Sequence, residues 1–257
     1  MVYLVLDTNI WIYIAEGEHP DITKELIDKI QKGELHLLSN NIILDEWIRH
    51  KEKSIEKGKQ KVINSYSGTV GSFKNLKSKL SESEKIQVDT IASQYVSNKP
   101  NDLLEVEERA RRIDQLLSVY CFELEITEEM KNQTVTMALE KKAPFHNGNN
   151  SVADCLILLS ALKYIKEDET GKYTKNAIFV TNNTADFSEE RKGAKANNWH
   201  PDIQKLIQPY NLEFSRNAGE VLRLSSEFIT EINDFLEYVE DQIIHQLEME
   251  AEIRKGK

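Results

Sequence analysis

The chain has 257 residues, 40% hydrophobic and 30% charged, with a net charge of −10, which is enough for one large α/β domain or a domain with an appendage and for a sizeable core either way. No apolar run reaches the roughly 18 to 20 residues of a membrane-spanning helix, and residues 1–6 lead into Asp7 without a cleavable signal pattern, so the expectation is a cytoplasmic protein with no membrane partner. Cys121 and Cys155 alone make neither a disulfide framework nor a cysteine-rich zinc site, and both are expected to be small buried side chains.

Residues 2–6 form an apolar run, the pattern of a strand buried on both faces of a parallel sheet, and Asp7 ends it. A helix over 10–15 follows and breaks at 16–20. Asp21 is placed to cap an amphipathic helix that reaches Lys32 and stops at Gly33. A second strand occupies 35–38, and Ser39 or Asn40 can cap the helix that begins near Ile42. From about 51 to 120 the composition turns polar around helix-forming stretches at 82–96 and 103–119, which reads as a helical insertion. Between Arg49 and Lys79 nine basic residues stand against Glu52 and Glu56, so an acidic chain carries a cationic stretch able to track phosphates; a solvated helix face accounts for it equally well.

A strand at 122–126, a cap at Thr127 and a helix to about 141 come next. The loop at 142–150 (KAPFHNGNN) is rich in turn formers, and Ser151 opens a helix to about 166 that is apolar on nearly every side and therefore belongs at the centre. A buried strand at 177–180 runs into Thr181 and the polar segment 182–186, and 212–214 is a last strand. Residues 225–254 read as one long acidic helix or a helix pair. This order predicts an α/β fold whose mostly parallel sheet is flanked by helices. The main domain spans 1–225, with its helical insertion at about 51–120, and 226–257 form a C-terminal helical extension. Sites in such sheets lie at the carboxyl ends of the strands.

Acidic residues stand where packing favours apolar ones. Asp7 closes an apolar strand; it either serves a site there or caps the next helix, for which Thr8 and Asn9 are alternative caps. Glu46 follows Ile42 and Ile43 by four and three residues and so projects from the core-seeking face, whereas Asp45 faces Asn41 and Arg49, its expected ion-pair partner. Asp154 shares its helix face with Ile157, Leu158 and Ala161, none of which can neutralise it, and a cation would. Asp186 follows a strand by several residues, with Asn183 as the competing ligand. Oxygen ligands without cysteine suit Mg²⁺ or Mn²⁺ better than zinc, and carboxylate clusters holding such ions cleave phosphodiesters.

The stretches LVLDTNIWI (4–12), ILDEWIRH (43–50), SVADCLILLSAL (151–162) and FVTNNTADF (179–187) resemble, in order, the four signature regions of PIN-domain nucleases, and HPDI (200–203) resembles a segment of the larger PIN-like proteins that carry a helical insertion. The resemblance implies a PIN-like fold and a metal-dependent endonuclease. Asp7, Glu46, Asp154 and Asp186 would be both the catalytic and the metal-binding acids, with Asn9, Thr181 and Asn183 in support. Asn183 stands where many relatives place another acid, which leaves one metal or two. RNA is implied as substrate ahead of DNA. Arg49, His50, Lys142 and His146 are candidate substrate contacts, and Tyr3, Trp11, Trp47 and Trp199 are expected to pack rather than stack on bases.

Two other classes compete. A phosphohydrolase using Asp7 as nucleophile wants a second Asp two residues on, where this chain has Asn9. A catalytically inactive PIN-like binding or regulatory module would act through its acidic C-terminal helix, and a structure-specific DNA nuclease would keep the same site. As a nuclease the protein would be a toxin with a cognate antitoxin, an antiviral effector with a defence-system partner, or a housekeeping enzyme. The terminal helix offers a surface for homo-oligomers.

Overall fold

The computed structural model describes residues 2–166, 176–190, 198–208, 210, 212–227 and 230. The first strand, β1 (Val2–Leu6), is buried along its whole length, as its unbroken apolar sequence requires. It pairs in parallel with β2 (Leu35–Ser39) on one side and β4 (Asn176–Val180) on the other. β3 (Cys121–Glu123) extends the sheet beyond β2, and β5 (Leu212–Ser215) extends it beyond β4. The order β3-β2-β1-β4-β5 is parallel at every pairing, so the mostly parallel sheet expected from the sequence is a wholly parallel one among the described residues. β3 is three residues long and shorter than the strand read at 122–126: Phe122 is exposed, and a half-buried edge segment has little to hold it extended.

The helices differ from expectation mainly at their starts. α1 (Thr8–Ala15) is capped by Asp7, whose Oδ1 accepts the Thr8 N–H at 2.6 Å, so the strand-ending carboxylate is a helix cap after all. α2 (Pro20–Gln31) begins one residue before the expected cap Asp21, because Pro20 occupies the first turn, where its missing N–H costs nothing. α6 (Glu128–Leu139) is capped by Thr127 as expected. α7 (Val152–Lys166) is the apolar central helix, with the Ser151 carbonyl accepting the Cys155 N–H at 2.9 Å. α8 (Thr184–Phe187) is one turn, α9 (Pro201–Ile207) two, and residues 218–227 are helical again. Of the acidic C-terminal extension, 228–229 and 231–257 lie outside the described residues. The two cysteines are free; Cys155 is buried, but Cys121, at the sheet edge, is only half-buried.

α3 (Asn41–Lys77), capped by the Asn40 side chain, runs unbroken for 37 residues, about 55 Å. No boundary separates the helix that carries Glu46 from the helical insertion; the same helix simply continues outward. α4 (Glu82–Ser97) and α5 (Lys99–Val119) fold back along it. Trp47 Nε1 and Lys51 Nζ donate to the two oxygens of Asp114 at 2.9 and 2.5 Å, and Tyr66 donates to Asp102 at 2.6 Å while stacking on Tyr95. Lys57 and Lys61 meet the buried Glu16, Lys59 meets Glu107, and Lys77 meets Asp89. Five of the nine basic residues of the cationic stretch thus join helices of this protein to one another, and the phosphate-tracking reading loses most of its charge. The pairs whose partners are exposed contribute little each, so their effect is chiefly to set how the helices lie. Tyr3, Trp11, Trp47 and Trp199 are buried, as expected of packing residues.

Two glycines of α3 should respond oppositely to substitution. A Cβ on Gly58 would stand 2.8 Å from Val106 Cγ1 and 3.1 Å from the Ala15 carbonyl oxygen, whereas one on Gly68 meets nothing. Gly58→Val should destabilise the protein by roughly 1–3 kcal/mol in denaturant titrations. Gly68→Ala should stabilise it by up to about 1 kcal/mol, since it only removes helix-disfavouring backbone freedom.

Candidate active site

The site lies at the carboxyl edge of the sheet, where in-register pairing of Leu6 with Val180 sets Asp7 beside Thr181. The Thr181 hydroxyl donates to Asp7 Oδ2 at 2.7 Å, and the Asn9 amide also donates to that oxygen and to Thr181 Oγ1, the latter at 3.0 Å. With the Thr8 N–H, three neutral donors hold the Asp7 carboxylate. Glu46, half-buried on the second turn of α3, accepts from the Thr8 hydroxyl at 2.8 Å, while Asp45, its neighbour, is exposed.

Asp154, in the first turn of α7, receives the Asn183 amide at 3.2 Å, and the same amide donates to Asp186 at 3.0 Å. Asp186 is only 2% exposed and also accepts from Ser151 Oγ at 2.7 Å and Asn149 Nδ2 at 3.0 Å. Asn183 and Asp186, competing candidates in the sequence, therefore both reach the site and touch each other. The sequence marks Ser151 only as a helix start and Asn149 only as a turn former; a polar loop directly ahead of an acid in a first helical turn is the signal that points to them.

The four acids feel one another. Burial, then the charges of Asp7, Asp186 and Glu46, push the Asp154 carboxyl up to about 7, with only the Asn183 amide opposing. Burial raises Asp7 to about 6 against its hydrogen bonds from Thr181 and Thr8, and Glu46 adds to the rise. Asp154 thus carries the least-satisfied charge of the group.

Whether the residues fit a metal turns on the donor set. Every donor is oxygen or amide, the chemistry of a hard divalent cation. Among the described residues no group of three or more His, Cys, Asp or Glu side chains is placed to hold a metal ion together. Mg²⁺ does not require one, because it keeps several waters and binds through one or two carboxylates and the substrate's phosphate. The mutual repulsion around Asp154 is what a cation would relieve, and the residues fit on that ground.

The candidate substrate contacts are scattered. Arg49 reaches back to Glu46 at 3.8 Å and to the Asp45 carbonyl, so the ion pair expected with Asp45 forms with Glu46 instead. His50 is exposed on the same helix. Lys142 is turned to Glu140 at 2.5 Å. His146 packs against His200 with ring centroids 4.4 Å apart and the rings tilted by 32°, and Asn147 beside it donates to the Ala185 carbonyl, tying the loop to the turn before Asp186.

The PIN domain family model matches residues 4–187, a span that begins in β1 and ends just after Asp186. The chain belongs to the PIN domain family. It carries the nuclease-type fold of that family, whose substrates are nucleic acids. No curated protein and no solved structure matches it significantly. No described helix of this PIN domain protein is long and apolar enough to cross a membrane.

Acids whose carboxyls are raised in the folded state above their ordinary value of 3.8 stabilise the fold fully below that pH. The stabilisation is lost as pH rises through about 6 for Asp7 and about 7 for Asp154. In EDTA the melting temperature should therefore fall between pH 5 and 8. Asp154→Asn should flatten that fall and raise stability at pH 8 by roughly 1–3 kcal/mol. Thermal melts across this pH range, with and without Mn²⁺, check both statements.

Proposed function

We propose that this protein is a divalent-metal-dependent endonuclease that hydrolyses phosphodiester bonds, with RNA as its substrate ahead of DNA. The observation that carries the reading is the coupled charge around Asp154: a carboxyl raised to about 7 by burial and three neighbouring acids is poorly placed for stability alone. Asp7, Glu46 and Asp154 would supply the carboxylates for Mg²⁺ or Mn²⁺, one or two at a time with water completing the shell, and Asp186 would be the fourth acid. When bound, such a cation supplies positive charge for the phosphate oxygens and acidifies an attacking water.

The surrounding residues act by position. Asn9 and Thr181 fix the Asp7 carboxylate from one side, and Thr8 fixes Glu46. Asp186 is already satisfied by Ser151, Asn149 and Asn183, so its larger part is to aim the Asn183 amide at Asp154 and to anchor the loop that starts α7. An amide at position 183 adds no negative charge, which favours fewer bound cations than a fifth acid would. The inactive-module alternative leaves this arrangement of buried acids without a purpose.

Purified wild-type protein should cleave labelled single-stranded RNA with Mn²⁺ or Mg²⁺ and lose that activity in EDTA. Asp154→Asn and Glu46→Gln should each reduce cleavage by on the order of a hundredfold or more. Metal-independent cleavage, or no cleavage of any RNA or DNA offered, would sink the proposal.

A further inference from the structure

A groove of about 210 Å³, lined in part by Ile10, Tyr13, Glu18, His19, Asn182 and Arg216, borders the segments that carry Asn9 and Thr181, although none of the four acids lines it. It shares a wall with the site. Ile10 follows Asn9, whose amide holds Asp7, and Asn182 lies between Thr181 and Asn183, its N–H donating to Asn9 Oδ1 at 3.4 Å. Arg216 reaches the groove because β5 ends there: Ser215 pairs with Val180, which brings the next residue to the same sheet edge as Thr181.

We propose that this groove holds one unpaired nucleobase of the substrate strand, next to the phosphodiester that the carboxylates address. The inference rests on the nuclease reading and deepens it. Arg216 is the first reason. Its Nε is buried without a hydrogen-bond partner, and among the described residues its guanidinium makes no ion pair. An arginine that lines the groove without an ion-pair partner among the described residues keeps donors for a ligand acceptor. Base edges present such acceptors, and arginine is a frequent reader of them.

Tyr13 is the second reason. It is 45% exposed, although it stands on a helix that otherwise packs into the core, and it lines the groove together with Ile10 and Ile22. An apolar slot with an aromatic wall, one amide that can donate and accept, and one guanidinium suits a flat heterocycle. The loop that forms the rim carries the third. Gly17 and His19 both take positive φ, +82° and +46°, and His19 is not a glycine. Strain of this kind is held where the surrounding structure needs it, and here it brings His19 to the groove. A base paired in a duplex cannot enter without being extruded, so the groove selects for single strands or unpaired positions.

The test is a cycle that removes the base on one side and the groove on the other. The full-length Asp154→Asn protein is titrated with a short single-stranded RNA, intact or with one abasic residue, the abasic position being moved along the strand. The wild-type groove should lose roughly tenfold in affinity for the abasic residue at one position. With Tyr13→Ala or Arg216→Met added, that loss should shrink to about twofold, because the base no longer has a slot to miss. Circular dichroism melts confirm that the variants fold, and Arg216→Lys should restore part of the discrimination. Equal abasic losses with and without the groove substitutions, or no abasic effect at any position, would overturn the groove assignment. Cleavage of the intact strand by the wild-type protein with Mn²⁺ reports separately on the nuclease reading. Cleavage without coupling sinks only the groove; coupling without cleavage keeps the groove and sinks the nuclease.

Discussion

Parallel pairing of β1 with β4 governs this molecule. Because both strands run the same way and in register, the residues that follow their last apolar positions emerge at one edge, Asp7 beside Thr181. Parallel strands have their helices on both faces, so the sheet interior is dry and its carboxyl edge is where polar side chains of the strand ends gather. α3 and α7 bring Glu46 and Asp154 to that edge, and the turn of α8 brings Asp186. The outcome is a set of acids held closer, and drier, than their mutual repulsion favours.

The protein handles that repulsion unevenly. Asp7 and Asp186 are each surrounded by three neutral donors, which disperse their charge without a counter-ion. Glu46 has the Thr8 hydroxyl and a loose approach from Arg49. Asp154 has one amide. The gradient of satisfaction runs from the anchored acids to Asp154, and on the proposed reading it is there that a cation would gain the most. The basic side chains do not compete for this role: those of α3 are largely engaged with Glu16, Glu107, Asp89 and Asp114, away from the site. On the proposed reading, attraction for a nucleic-acid strand would come from a bound cation and from basic side chains near the edge such as Arg216.

Much of this could be read from residues alone. The unbroken apolar runs at 2–6 and 177–180 declare buried parallel strands, and an acid or threonine at the end of such a run declares a sheet edge, because no neighbouring packing position accounts for it. Periodicity separated Glu46 from Asp45, since helix geometry alone determines which of two adjacent acids faces inward, and Asp154 stood out by the apolar character of its helix. These are local signals, carried by spacing along a single element. What folding alone decided involves pairs far apart in the chain. The use of Lys51, Lys57, Lys59 and Lys61 as internal ties depended on acids at 16, 107 and 114, which no local pattern connects to them. The capture of Asp186 by Asn149 and Ser151, and the meeting of Tyr13 with Arg216 across a groove, likewise required the sheet order β3-β2-β1-β4-β5 to bring distant segments to one edge. Hydrophobic periodicity specifies which way a side chain faces; only the packed arrangement of elements specifies what it meets.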